Sequence, residues 1–243
     1  SAAPTAMFPL LAGAQAGGTW AGPGGAASSG NYDPLADGPG TYMYTVNGIA
    51  PCASDAAAVT VSEDVPPDAT ITYASAAFCA TSGTVAAVLT GTTGGVYSAA
   101  PAGLLVDAVT GAIDPGGSVP GGYTIMYALP ANGACPGFST TTVVDIIAPP
   151  SAGADAALTV CDNGGAVALF GELTGAQGGG TWTAPGGGAF NGTYDPAANT
   201  SGIYTYTVIG TAPCANDQAA VTVNETGSPD AGADGVLTLC ADG

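Results

Sequence analysis

Six cysteines and 18 carboxylates are the side chains with obvious chemistry to offer in this 243-residue sequence, because Lys, Arg and His are all absent. The cysteines can pair as disulfides. The carboxylates can hold calcium or, two at a time, cleave a glycosidic bond. Little else is open. A P-loop lysine, an arginine finger, a histidine base and any His-containing metal site are excluded, and so is a Lys–Asn isopeptide crosslink. A net charge of −18 with no cation also argues against nucleic acid and anionic membrane surfaces as partners. The only glutamates, Glu63, Glu172 and Glu225, are read as sharing no repeat position. No G-x-S-x-G elbow occurs and no base exists to activate Ser or Cys, so the chain is expected not to be an enzyme and to need no cofactor.

Carboxylates near the Pro-rich stretches (Glu63, Asp64 and Asp68, or Asp155, Asp230 and Asp234) could bridge calcium between domains, although the D-x-D-x-D-G loop is absent. Asp33 and Asp195 each precede a proline, where a carboxylate caps the backbone amides of a turn. No C-x-x-C motif favours zinc.

The elements that must position these groups come from an internal repeat. Residues 8–61 align without a gap onto residues 170–223, with 34 of the 54 positions identical. The shared skeleton is G-G-T-W (Gly17 to Trp20, Gly179 to Trp182), Y-D-P (Tyr32 to Pro34, Tyr194 to Pro196) and G-x-Y-x-Y-T-V (Gly40 to Val46, Gly202 to Val208). It continues with A-P-C ending at Cys52 and Cys214, then A-A-V-T-V ending at Val61 and Val223. A looser copy lies between them: Gly94 to Tyr97, Ile113 to Pro115 and Gly122 to Tyr127. The reading is residues 1–65 as a type-one repeat, 66–148 as type two and 149–228 as type one, with 229–243 the first strand of a following type-one repeat. The first strand of residues 1–65 would then come from a preceding copy.

Cysteine spacing runs parallel to the repeat. Cys79 and Cys135 lie 56 apart, and Cys161 and Cys214 lie 53 apart. Cys52 and Cys240 are left over, and Cys240 would precede the Cys52 of a following copy by 55 residues. The spacing predicts one disulfide per repeat: Cys79–Cys135, Cys161–Cys214, and Cys240 with the Cys52 of the next copy, an end-to-end partner. Closing about 55 residues adds roughly 4 kcal/mol in the chain-entropy model. Disulfides at regular spacing fit an oxidising, extracellular location. Whether copies continue in one polypeptide, or separate subunits polymerise when the strand ending in Cys240 completes the next subunit, stays open.

Within each repeat the apolar residues alternate at period two and turn residues recur every 8–12 positions, without helical periodicity. The expected fold is all-β: tandem immunoglobulin-like antiparallel β-sandwich domains in a linear array. The Pro-rich links at Val65 to Asp68, Ala148 to Ser151 and Gly227 to Asp230 should be stiff. Trp20 and Trp182 are read as core residues packed on a disulfide, with a sugar platform as the alternative. Tyr44, Tyr127 and Tyr206, each eight residues before a second cysteine, are read as core. No run of 18 apolar residues occurs without Gly, Pro or Asp breaks, so no membrane insertion is expected.

This string of motifs resembles the tandem domains of very large surface proteins of Bacteroidota, the gliding-motility-associated and adhesin-like proteins exported by the type IX system. The middle unit, with Ala102 to Leu104, Val109 to Pro115 and Gly121 to Thr124, is similar to another repeat of those proteins. The resemblance implies a cell-surface or secreted filament, stalk or adhesin. The expectation is a structural segment of such a fibre, with a module that grips surface glycans as the alternative.

Overall fold

The computed structural model describes residues 3–240. Strands account for all the regular structure apart from three single-turn 3-10 segments. The first repeat holds β1 (Thr5–Ala6), β2 (Thr19–Ala21), β3 (Ala27–Ser28), β4 (Asn31–Tyr32), β5 (Gly40–Val46) and β6 (Asp55–Val61). The middle one holds β7 (Ala69–Thr72), β8 (Ala77–Cys79), β9 (Val88–Gly91), β10 (Val96–Ala100), β11 (Leu105–Val106), β12 (Ile113–Asp114), β13 (Gly121–Leu129) and β14 (Phe138–Ile147). The third holds β15 (Ala156–Cys161), β16 (Val167–Ala168), β17 (Thr181–Thr183), β18 (Ala189–Phe190), β19 (Thr193–Tyr194), β20 (Gly202–Val208) and β21 (Asp217–Thr226).

By contacts the chain forms two compact units. One runs up to Asp68 and takes in Pro130–Phe138; the other is Ala69–Leu129 with the chain from Ser139 on. In the first unit the main sheet has the order β3-β2-β5-β6, and β1 pairs with β4 as a small second layer. In the second unit one sheet is β10-β13-β14-β8 and the other β15-β21-β20-β17-β18. Two-stranded layers β7-β9, β11-β12 and β16-β19 complete it.

The expected strand alternation is visible in burial. Tyr204, Tyr206 and Val208 of β20 point inward, as do Ala219, Val221 and Val223 of β21, while residues between them are more exposed. Tyrosine dominates these small cores. Tyr42, Tyr123 and Tyr204 each donate a phenolic hydrogen bond to the carbonyl four residues upstream, on Gly38, Val119 and Thr200 (2.8, 2.6 and 2.8 Å). This is the tyrosine corner of immunoglobulin sandwiches, found three times in one chain. Each fixes the turn that launches the strand carrying it.

Residues 229–243 are expected as a strand; 229–240 form none, and 241–243 lie outside the described residues. An extended segment has no ladder of its own to join. Cys240, the last described residue, is exposed.

Candidate functional site: the cysteines and the links

The cysteines depart from the predicted pairing. Cys79 is bonded to Cys214, with Cα atoms 4.9 Å apart and 135 residues between them in sequence, whereas Cys52, Cys135, Cys161 and Cys240 are unbonded. Strand direction explains the difference. β15 runs parallel to β21, and Cys161 ends it opposite Thr226, the last residue of β21. Cys214 precedes the first residue of that same strand. The two cysteines of the third repeat therefore sit at opposite ends, separated by ten strand residues or roughly 30 Å at the usual rise. A constant spacing of 53–56 marks equivalent positions, not bonding distance.

What brings Cys79 and Cys214 together is the link. β8 runs parallel to the end of β14, placing Cys79 opposite Ile147, just before Pro149 and Pro150. The loop between β20 and β21 sets the Cys214 sulfur 3.4 Å from the Ile147 carbonyl oxygen. The link then lies down along the third repeat. Ser151 N donates to Gln177 Oε1 (3.1 Å), Ala152 N to Asp217 Oδ2 (2.8 Å) and Ala154 N to the Thr174 carbonyl (3.0 Å), while Gln177 N donates to the Ser151 carbonyl (2.8 Å). Ala152 is fully buried there, among the residues of the third repeat's core. Closing 135 residues is worth about 5 kcal/mol in the chain-entropy model, so this one bond rivals the stability of a small domain.

The first unit holds a related arrangement without the bond. Cys135 Sγ donates to the Asp64 carbonyl at 3.1 Å, and Ala134 N donates to Asp64 Oδ2 at 2.9 Å. Asp64 lies two residues before Pro66, as Ile147 lies two before Pro149.

The carboxylates suggested for calcium are dispersed. Among the described residues no group of three or more Cys, Asp or Glu comes close enough to hold a metal ion. Asp155 Oδ1 accepts from Ala220 N, and Asp230 Oδ1 accepts from Gly232 N. Asp33 and Asp195 cap their turns, accepting from Leu35 N and Ala197 N at 3.0 Å. Asp107, hydrogen-bonded chiefly by Thr110, and Asp162, by Ser228, are held below the ordinary carboxylate range.

Glu63 and Glu225 do share a repeat position, since the offset of 162 extends past residue 61. Each accepts the phenol of the Y-D-P tyrosine: Tyr32 to Glu63 at 2.7 Å and Tyr194 to Glu225 at 2.5 Å. Burial first, then the Glu63 contact, pushes the Tyr32 phenol up to about 12, and Tyr194 moves the same way. The alignment could have shown this pair had it been carried two residues further.

The tryptophans pack on tyrosine and not on a disulfide. Trp20 lies 5.0 Å from Tyr44 and Trp182 5.0 Å from Tyr206, with Tyr97 against Tyr127 at 4.7 Å in the middle repeat. Trp182 is buried and Trp20 half-buried. The partner tyrosines also tie down the glycine turn. Tyr44 accepts from Gly18 N and donates to the Gln15 carbonyl, as Tyr206 does with Gly180 and Gln177, and Tyr127 with Gly95 and Thr92. A side chain on Gly18 would meet the ring at 2.6 Å, which is why glycine stands there.

No protein-family profile matches the chain, and no curated protein is similar to it in sequence. In structure it is similar to a three-immunoglobulin-domain segment of titin carrying Glu-to-Ala substitutions: TM-score 0.51, 12% identity, 86% of this chain and 88% of that one. Extracellular domains 3–5 of Drosophila OTK align at TM-score 0.32 and 13% identity, over 86% of this chain and 85% of theirs. The titin likeness establishes a fold of tandem immunoglobulin-like sandwiches. Among the described residues, no helix is long and apolar enough to cross a membrane.

Proposed function

We propose that this chain is a structural segment of an extracellular filament or giant cell-surface adhesin, with repeats bounded near residues 65, 148 and 228. The observation that carries the reading is the Cys79–Cys214 disulfide, which joins one repeat's strand end to the next repeat's loop across a Pro-rich link. A bond in that place serves mechanical continuity. It also needs an oxidising compartment.

The aromatic residues support the same reading. The recurring rings pack on one another and on backbone turns, which favours a core-building role over a platform for a sugar. The surface is acidic without a single Lys or Arg, which favours solubility and removes every trypsin site. The motif resemblance to Bacteroidota surface proteins points to a gliding or adhesive cell surface.

The test is location and shape. Antibodies to the folded chain, applied to intact cells of its source, should label extended structures by immunogold microscopy. Labelling confined to the cell interior would overturn the proposal. Glycan-array binding by the folded chain would favour an adhesive module over a stalk.

A further inference from the structure

The first repeat has an open groove where the third repeat holds its own link and strand. We propose that residues 229–240 of a second copy of this chain fill that groove, and that two disulfides, Cys240 to Cys135 and Cys161 to Cys52, then join the copies. The inference rests on the structural reading above and names its partner.

The groove comes first. It is a cleft of about 780 Å3 bordered by Leu11, Gln15, Val46, Ile49, Asp55 and Ala57. The offset of 162 carries Gln15 and Asp55 onto Gln177 and Asp217, the side chains that hold the link in the third repeat. The edge beside the groove is also open. β21 lies between β20 and β15, whereas among the described residues β6 has β5 on one side and no strand on the other. Ala57 is exposed where its counterpart Ala219 is buried, and Val61 is half-exposed where Val223 is buried. An unpaired edge over an incomplete core is a template for an added strand.

The occupant is written in the chain. Residues 229–240 match residues 150–161, the link and β15, at eight of twelve positions: Pro229, Ala231, Gly232, Ala233, Asp234, Leu237, Thr238 and Cys240. Gly232 and Gly153 share positive φ (79° and 89°), so the bend before the strand is already set. Leu158 and Val160 pack against the third core; their counterparts Leu237 and Leu239 are 81% and 77% exposed. Carried onto β6, the β15 register places Gly235 opposite Val59, Leu237 opposite Val61 and Cys240 opposite Asp64.

That register decides the sulfur chemistry. The carbonyl of Asp64 already receives the Cys135 thiol at 3.1 Å, so the docked Cys240 arrives beside Cys135. This repeats the bonded arrangement, in which Cys79 lies opposite Ile147 and Cys214 sits on the Ile147 carbonyl. By the same equivalence Cys161, exposed at the end of β15, matches Cys79, and exposed Cys52 matches Cys214. This pairing differs from the Cys240–Cys52 bond expected from spacing alone.

Each bond forms by thiol–disulfide exchange with a small disulfide such as oxidised glutathione. The Cys240 thiolate attacks one of its sulfurs and expels one thiol. The Cys135 thiolate then attacks the Cys240 sulfur and expels the second, so two protein thiols are oxidised and one small disulfide is reduced.

The test uses the full chain, as a mixture of nitrogen-15-labelled and unlabelled protein, oxidised in a glutathione buffer. Non-reduced peptides from an aspartate-specific protease are then mapped by mass spectrometry. Cys135–Cys240 and Cys161–Cys52 peptides carrying mixed labels are expected, along with a ladder of multimers that collapses on reduction. Cys240→Ser should lose the Cys135 crosslink and still associate in sedimentation. Leu237→Asp with Leu239→Asp should weaken association about tenfold or more while keeping the Cys79–Cys214 bond, which reports intact folding. A chain that stays monomeric with Cys135 and Cys240 open to alkylation, or one that links Cys240 to Cys52, overturns the inference. Neither result touches the structural reading, which stands or falls on surface labelling.

Discussion

Cys161 and Cys214 share a repeat and lie at opposite ends of it, one beside the last residue of β21 and the other ahead of its first. The Cys79–Cys214 bond accordingly joins the strand end of one repeat to the loop of the next and does not close a repeat on itself.

The Cys79–Cys214 bond should dominate stability under oxidising conditions. Cys214→Ser is expected to lower the unfolding free energy of the oxidised chain by about 2–5 kcal/mol, measured by urea titration. The same substitution should change little once the native chain is reduced. A variant as stable as the oxidised parent would contradict the bond.

Tyr206 holds two backbone groups with one phenol. Tyr206→Phe leaves Gly180 N–H and the Gln177 carbonyl without their partner, and should cost about 1–3 kcal/mol. Tyr44→Phe tests the equivalent site through Gly18 and Gln15. Circular dichroism of both variants checks that the strands persist.

Gly192 has φ of +87°, and a side chain there would meet the Trp182 indole at 2.9 Å. Gly192→Ala should destabilise by roughly 1–3 kcal/mol and red-shift the Trp182 fluorescence as the ring is displaced. An unchanged emission maximum would mean the ring is not packed there.

Alkaline pH should act through the buried phenols. The Tyr32 and Tyr73 phenols are pushed up to about 12, in both cases chiefly by burial. A phenol whose folded pKa exceeds its unfolded value of about 10 contributes stability that is complete below pH 10 and lost as pH rises through the folded value. Absorbance titration at 295 nm should therefore show a late tyrosine fraction near pH 12, together with loss of strand signal. In acid the depressed carboxyls of Asp107 and Asp162 work the other way. Their contribution is present above the unfolded carboxylate value and fades as pH falls through the folded one.

Much of this fold was legible in the alternation of Tyr204, Tyr206 and Val208 and in the Y-D-P turns, because local steric and hydrogen-bonding rules act on neighbours in sequence. The pairing of Cys79 was not. In a repeating chain an equal spacing fits both a bond within a repeat and an equivalent place in each, and only strand direction separates the two. The Tyr32–Glu63 contact was half visible: the glutamates recur, but their phenol partners lie 31 residues away across the sandwich. Trp182 was placed correctly in the core and given the wrong neighbour, since a ring's partner depends on register.

A ring of covalent bonds around 135 residues changes what a pull on the chain can do. Tension entering at one end passes from Cys79 straight to Cys214 through sulfur, and the strands enclosed by that shortcut bear no load. At about 3.5 Å per extended residue, roughly 470 Å of slack is withheld from stretching. Pulled from its two ends, the chain keeps the residues between Cys79 and Cys214 from extending until a reductant opens the bond.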